Sequence, residues 1–424
     1  MYCHRIGKPI TKINMLGSPV LNFMPKRKNK YSICLIHPID PRGEKIGGIE
    51  TYIRNFIEYY PKGWYLLMVG VDEIGDLTDN RINSITLYNR TFDFIPIMKV
   101  NDKTIDSVAI KIKDSITFQF FLRIFKNFIR LKKTLISCDC TIDLRRVEFS
   151  LFCILARLPY IQMLHGIGQP IGEAESLLKK VNFIHPLFEM LSIKYCKKFF
   201  CVNNIIVSRY KSRYVGKSHK IDCVNTWADP KIFKATCFPR SNCIEMSFIG
   251  RLESVKDPNL MFSTLKKLLE GGISAKLHYI GTGNPLKFRE YRHVRNNVIL
   301  HGYQNSLGIA EILSKTHIGI LFSHFEGMPR SVLETLACGR PVVATQIDVL
   351  NDIIIPFKNG LLVEQRSPDV LAKNILLIKE MMDKGNLNHI MISNSVSKYN
   401  PVSQLSRVYN AHKLLKDNRR TNEN

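Results

Sequence analysis

The chain lacks any apolar run long enough to cross a bilayer. A spanning helix needs about 18 consecutive apolar residues or more. The most apolar stretch, Val147 to Leu164, is interrupted by Glu148, Arg157 and Pro159. The opening segment, MYCHRIGKPITKINMLGSPVLNFMPKRKNK, has no continuous apolar core, so a secretory signal peptide is not expected. Cysteine pattern is missing too. The 11 cysteines have no regular spacing, and the one close pair, Cys138 and Cys140, has no second pair to complete a zinc site. A disulfide framework is therefore not expected, and an odd number of thiols in a long chain fits a reduced, cytoplasmic setting. Acidic residues are scarce: 36 Asp and Glu stand against 61 Lys and Arg, a net charge of +25. Such an excess points to an anionic partner, whether phosphate, acidic lipid or nucleic acid, although a genome rich in Lys, Ile and Asn codons would raise it as well.

What is present fits an ordinary globular protein, with 45% hydrophobic and 23% charged residues in 424 positions. That length exceeds what one core usually holds, so two domains are expected. Residues 1–30 read as a basic extension ending in KRKNK. From Tyr31, short apolar runs alternate with helical ones: YSICLIH, then a Gly-containing loop, then IETYIRNFIEYY. WYLLMVG, PYIQMLH and KFFCV continue as strands, and TFQFFLRIFKNFIRLKK reads as one long helix. The pattern restarts after 216–242 with CIEMSFIG, AKLHYIG, NVILHG, HIGILFS and PVVAT as strands. This alternation implies parallel sheets covered by helices on both faces. The expected class is α/β with two Rossmann-like domains, 31–215 and 243–398, joined by a linker at 216–242 and followed by a closing helix over 399–424. In open parallel sheets a ligand sits beyond the carboxyl ends of the strands, so the cleft between two such domains is the expected site.

The stretch SHFEGMPRSVLETLACGRPVVAT carries the chemistry. Pro329 suits a first helical turn, Arg330 to Cys338 reads as helix, and Gly339 as its stop. Glu326 then lies in the loop before the helix and Glu334 within it. A carboxylate accepts two hydrogen bonds and so suits a vicinal diol. The amides near Gly327, Met328 and Arg330, at the helix start, suit an anion. Diol, phosphate, diol is the order of groups in a nucleotide-sugar. Taken singly, Glu334 could be a plain surface residue and Glu326 a helix-dipole partner. In FIGRLESVKDP, Arg251 and Lys256 follow a strand directly, a fork and a point charge of the kind that holds a diphosphate. Gly48, in GGIETY, opens a helix and permits close backbone approach; Gly281 and Gly283, in IGTGN, are a weaker version without the full dinucleotide fingerprint. His165 ends an apolar strand, where a structural role is the commoner one.

These motifs resemble glycosyltransferase family 4. FIGRLESVKDP, YIGTGN, VILHGY, SHFEGMPRSVLETLACGRPVVAT and NGLLVE occur in that family's order, and GGIETYIRNF and LHGIG look like its N-terminal half. The resemblance is dense from Ile244 to Glu364 and sparse elsewhere. It implies retaining enzymes of the two-Rossmann GT-B fold. It further implies that Glu326 binds donor-sugar hydroxyls, Glu334 the ribose, and Arg251 and Lys256 the diphosphate. The amides of Gly327 and Met328 would assist, Gly48 would approach the donor phosphate, His165 would line the reacting face, and His301, Gly302 and Tyr303 would lie near the base. Family members typically need no divalent metal, which suits a sequence with no Asp-x-Asp beside an apolar strand; no cofactor is expected. One departure is the linker, VNTWADPKIF, where Thr226-Trp227 replaces an Asn-Gly dipeptide.

Retention without an obvious nucleophile implies front-face transfer, the departing phosphate guiding the attacking hydroxyl. A covalent intermediate on Glu326 is disfavoured, since a group gripping hydroxyls is poorly aimed at the anomeric carbon. For the acceptor, Phe118, Phe121, Leu122, Phe125, Phe128 and Ile129 share one helical face and Arg123, Lys126, Arg130 and Lys133 another. The ordinary placement buries the phenylalanines on the sheet and exposes only the basic side. A lipid-linked saccharide acceptor at the cytoplasmic face of an anionic membrane is the expected partner. Rival readings are a nucleotide-sugar epimerase of the same fold and a basic nucleic-acid-binding protein. The second lacks a recognised module, and its Lys and Arg are spread over the whole chain.

Overall fold

A computed structural model describes residues 29–43, 48–100, 115–165 and 184–423. The expected extension lies outside these residues except for its last two positions. Two compact units are found. The first runs to Val224 and resumes at Leu405; the second holds Asn225–Gln404.

The first unit is built on eight strands: β1 (Ser32–Ile36), β2 (Tyr65–Asp72), β3 (Asn83–Leu87), β4 (Arg90–Lys99), β5 (Thr141–Leu144), β6 (Tyr160–Leu164), β7 (Lys198–Cys201) and β8 (Ile221–Cys223). Their order is β3-β4-β2-β1-β5-β6-β7-β8. Every residue of β1, β2, β5 and β6 is buried, as expected for parallel strands covered on both faces. The β3–β4 edge is an antiparallel hairpin closing on Leu87↔Arg90, not foreseen in the sequence. Tyr88 (φ 54°) and Asn89 (φ 56°) form its two-residue turn, and two left-handed residues match the right-handed twist of the flanking strands. Strand β8 lies within the segment read as a linker and pairs in parallel with β7.

Among the described residues, the helices between its strands are α1 (Gly48–Tyr59), α2 (Ile116–Lys126), α3 (Phe128–Ser137), α4 (Ser150–Ala156), α5 (Ile184–Tyr195) and α6 (Asn204–Arg213). The long helix expected over residues 117–133 is two helices. Asn127 (φ −101°, ψ 17°) breaks it, and its side-chain amide donates to the Arg123 carbonyl at 3.0 Å. The buried residues are Phe120, Ile124, Leu131 and Leu135, a stripe at helical spacing beside the expected face of Phe118, Phe121, Leu122, Phe125, Phe128 and Ile129, which is at most half-buried. The C-terminal helix, Pro401–Glu423, joins this unit from Leu405 onward. Its His412 bonds Thr141 Oγ1 at 2.8 Å and Asp143 Oδ2 at 3.2 Å, and its Tyr409 hydroxyl donates to the Phe56 carbonyl at 2.9 Å.

The second unit has six strands, β9 (Ile244–Ile249), β10 (Ala275–Ile280), β11 (Val298–Gly302), β12 (Ile318–Leu321), β13 (Val342–Thr345) and β14 (Gly360–Val363). They are all parallel, in the order β11-β10-β9-β12-β13-β14. Helices α7 (Pro258–Glu270), α8 (Ser306–Ser314), α9 (Arg330–Ala337), α10 (Pro368–Asp383) and α11 (His389–Asn394) connect and cover them. Met246, Phe248, Leu277, Leu333, Leu336, Val343 and Ile375 form the centre of the core. Helix α9 begins one residue after Pro329, which is its N-cap, and ends at Ala337 with Gly339 (φ 77°) just beyond. A side chain at Gly339 would stand 2.7 Å from the His389 carbonyl, so close approach as well as conformation requires glycine.

The chain lays β9, β10 and β11 outward in one direction, then restarts at β12 on the other side of β9. The carboxyl ends of β9 and β12 therefore flank the point where strand order reverses, which is where open parallel sheets place ligands.

Candidate functional site

Three strand ends in the second unit are laced together by backbone. Gly250 N–H donates to Ile280, Leu252 N–H to Thr282, and Gly281 N–H to Gly302, at 2.9, 3.1 and 2.9 Å. A Cβ on Gly281 would fall 2.0 Å from the Gly250 carbonyl oxygen, and one on Gly283 2.9 Å from Leu252 Cβ. Only glycine lets these loops pass each other at that range. Gly302 is left-handed (φ 65°) with open space around it. Thus Gly281, Gly283 and Gly302 shape the strand ends with backbone alone.

Beyond β9 the chain makes a single 3₁₀ turn, Ser254–Lys256, before α7. Beyond β12 it runs Phe322 to Pro329 before α9. The His324 amide donates to the Val255 carbonyl at 2.8 Å and fixes the two loops side by side. This brings the Lys256 ammonium onto Glu326 Oε1, and Ser323 Oγ donates to the same oxygen at 2.7 Å. The two charged side chains, 18% and 11% exposed, are screened from water yet reachable. A second brace holds the loops from behind. Asp257, in left-handed conformation (φ 49°), caps α7 through Leu260 N–H at 3.2 Å and accepts from Arg366 at 2.6 Å. Arg366 also donates to the carbonyls of Phe322 (2.7 Å) and Ser323 (3.2 Å), and His324 Nε2 lies 3.4 Å from Asp257.

Glu334 is buried on α9 and accepts from Arg330, one turn before it, at 2.5 Å. Burial raises its carboxyl above the ordinary value, and the Arg330 charge and hydrogen bond only partly oppose this. Arg251 behaves differently: its side chain is 71% exposed and pairs with Glu253 at 3.1 Å. Met328 packs against the core and its carbonyl accepts from Thr226 Oγ1 at 3.5 Å, so this linker residue supports the Glu326 loop; the adjacent Trp227 is buried. His301 bonds His278 at 2.9 Å, and His278 bonds Glu245 at 2.9 Å; partial burial and the neighbouring His278 push the His301 imidazole below its usual value.

Two further predicted residues, Gly48 and His165, belong to the first unit. Gly48 is the first residue of α1. His165 follows β6, with its ring 5.2 Å from Tyr52, edge-on. Its Nε2 is buried and has no hydrogen-bond partner among the described residues. Burial, then the charges of Arg145 and Arg146, hold this imidazole well below its usual value, so it is neutral near pH 7. Its neighbour Arg145 is itself buried, 2.8 Å from Asp143 and over the Tyr52 ring at 4.0 Å.

The structure thus joins Lys256 to Glu326, sets Gly281, Gly283 and Gly302 at the ends of β10 and β11, pairs buried Glu334 with Arg330, and leaves Arg251 in solvent. Sequence reading assigned no role to the side chains of Ser323, Arg330, Asp257 and Arg366. The first three were within quoted motifs, and Asp257 before Pro258 was a legible capping signal. Arg366 had none, being 109 residues from its carboxylate partner.

Residues 239–398 match the family model for glycosyl transferases group 1. An uncharacterized glycosyltransferase of Methanocaldococcus jannaschii is 25% identical over 51% of this chain and 59% of its own length. The Escherichia coli UDP-Gal:alpha-D-GlcNAc-diphosphoundecaprenol alpha-1,3-galactosyltransferase is 22% identical over 54% of this chain and 63% of its own. The chain therefore spans less than two thirds of the curated relatives it matches. Among solved structures, sucrose-phosphate synthase from Thermosynechococcus elongatus superposes with a TM-score of 0.68 at 17% identity, covering 90% of this chain and 98% of that one. The fold is GT-B, with two Rossmann-like domains. The expected class holds, and the dense stretch of resemblance, Ile244 to Glu364, lies inside the matched segment.

Proposed function

We propose that this protein is a retaining glycosyltransferase that moves a sugar from a nucleotide-sugar, a UDP-sugar in our reading, to a saccharide acceptor without a divalent metal. The observation that carries the reading is the Lys256–Glu326–Ser323 cluster at the strand-order reversal of the second sheet, inside the segment matching group 1 glycosyl transferases. Glu326 keeps acceptor capacity for sugar hydroxyls. One of the three Lys256 donors goes to Glu326 and the others suit phosphate oxygens. The ammonium would stabilise the leaving diphosphate as its charge grows, the work a metal ion does elsewhere. Arg251, exposed on the same loop, would swing to the diphosphate, and Glu334 with its raised proton affinity would take the ribose. In the first unit, Gly48 and His165 keep the roles the resemblance implies. A neutral His165 can accept or donate to a hydroxyl without adding charge.

Because Glu326 is committed to Lys256 and Ser323, it serves as a grip rather than a nucleophile, which favours front-face transfer. The acceptor in this reading is a lipid-linked saccharide used at the cytoplasmic membrane face in cell-surface polysaccharide or glycolipid synthesis; the E. coli relative's name gives such an acceptor for that protein. Among the described residues no helix is long and apolar enough to cross a membrane. An epimerase would use the same donor cluster, but the names of the relatives favour transfer.

A thermal-shift panel of uridine, guanosine and adenosine diphosphates, followed by sugar release from the matching donors with and without chelator, tests this. Stabilisation by a nucleoside diphosphate and chelator-resistant release of it support the reading. No stabilisation by any of the three, or an altered nucleotide-sugar as the product, overturns it.

A further inference from the structure

The outer layer of the first unit is not the one an ordinary amphipathic helix gives. Helices α2 and α3 bury Phe120, Ile124, Leu131 and Leu135 yet leave Leu122, Ile129 and Ile136 at 52%, 69% and 51% exposure. Exposed Arg123, Lys126, Arg130 and Lys133 lie among them. Residues 115–137 contain no Asp or Glu. The surface continues onto neighbouring helices. Phe121 meets Phe188 of α5 at 6.2 Å, and Phe128 meets Phe152 of α4 at 5.4 Å. On α5, Leu187 and Met190 are also largely exposed, with exposed Lys194 one turn further on. Among the described residues of α5 the only acid, Glu189, is buried and bonded to Tyr210 at 2.5 Å and Arg213 at 3.3 Å.

Scattered exposed leucines are ordinary, but an apolar patch threaded with cations and, among the described residues of α2, α3 and α5, free of exposed acids is a surface with a partner. Anionic phosphate would satisfy the Lys and Arg. A nucleic acid would supply that phosphate and leave Ile129 and Leu187 in water. A bilayer supplies both, headgroup phosphate at the level of the cations and acyl chain beneath for the aliphatic side chains. We infer that the face formed by α2, α3 and α5 docks on an anionic lipid bilayer, with Leu122, Ile129, Ile136, Leu187 and Met190 entering the headgroup–acyl boundary. This extends the transferase reading by naming the surface that would carry the protein to a lipid-borne acceptor, yet its test needs no turnover.

Flotation of the full chain with phosphatidylcholine–phosphatidylglycerol vesicles, and with phosphatidylcholine alone, decides it. The protein should float with the anionic vesicles only, and rising salt should release it. Ile129→Glu with Leu187→Glu should weaken binding at least tenfold at unchanged melting temperature, because both side chains already face solvent. Arg130→Glu with Lys133→Glu should weaken it comparably and flatten the salt dependence. Failure of the wild type to float with anionic vesicles overturns the proposal. So does flotation of the Ile129/Leu187 variant equal to wild type, or binding of a polyuridine RNA that is as tight as lipid binding and indifferent to that variant. Nucleoside diphosphate binding by the same variants reports separately on the transferase reading.

Discussion

The two units brace their sheets by different means. In the second, the carboxyl ends of β9, β10 and β11 meet through backbone hydrogen bonds made possible by Gly250, Gly281 and Gly302, and one short ion pair, Lys256–Glu326, stands over the reversal point. In the first, strand β5 is braced along its length by buried side chains: Asp143 lies between Arg145 and His412, and Thr141 shares the same histidine. A backbone-built site needs glycines at fixed offsets and so leaves a local signature. A side-chain network recruits partners from anywhere; Thr141 and His412 are 271 residues apart.

The sharpest way to break this contrast is at the ion pair. Lys256→Ala should lower kcat by about 10²–10³-fold, the range for removing one preorganised charge-stabilising donor. Its circular dichroism spectrum should be unchanged and its melting temperature nearly so. A drop of less than tenfold would remove Lys256 from the machinery. Next, Gly281→Ala should destabilise the second unit by about 1–3 kcal/mol, since the added carbon would overlap the Gly250 carbonyl and force the loops apart. Unfolding followed by tryptophan emission should show the transition of buried Trp227, in that unit, moving to lower denaturant. In the first unit, His412→Phe should cost a similar or smaller amount, about 1–3 kcal/mol, by leaving Asp143 and Thr141 short of a partner; Trp64 emission reports there.

The smallest effect is a difference of sign with pH. His165 in the first unit has a depressed proton affinity. Below about pH 6.5 the unfolded chain takes up a proton that the folded one refuses. Stability from this site is therefore complete above that pH and is lost as pH falls. Glu334 in the second unit is raised. Its contribution is complete below the ordinary carboxyl range and is lost as pH climbs through its raised value. His165→Gln should flatten the acid-side loss of the first transition, and Glu334→Gln should flatten the opposite slope of the second. Parallel slopes in both variants would refute the assignment.

Much of the second unit was legible for the reason the comparison gives. Its strands are short apolar runs, three of them closed by glycine (Gly250, Gly281 and Gly302), and its loops carry charged residues at short fixed distances. The first unit was read less fully. β5 is four residues, Thr141–Leu144, and includes a buried aspartate, which disguises it as loop. The β3–β4 hairpin turns on Tyr88 and Asn89 rather than on a glycine. The α2–α3 break at Asn127 is set by a side chain bonding its own helix, which no periodicity registers. In the site, Arg251 was expected beside Lys256 because both follow β9, but sequence proximity does not fix direction, and Arg251 turns to Glu253 instead.

Arg340 sits in the most recognisable stretch of the chain, yet its side chain is spent on the protein's own backbone. It is fully buried, and its guanidinium donates to the carbonyls of Leu313, Thr236 and Cys237, each at 2.9 Å. Thr236 precedes it by 104 residues. During synthesis, then, the leading margin of the second unit waits for most of that unit to emerge before its carbonyls meet their cation, and the stretch that reads most like a signature of chemistry also fastens the late-made part of the unit to its beginning.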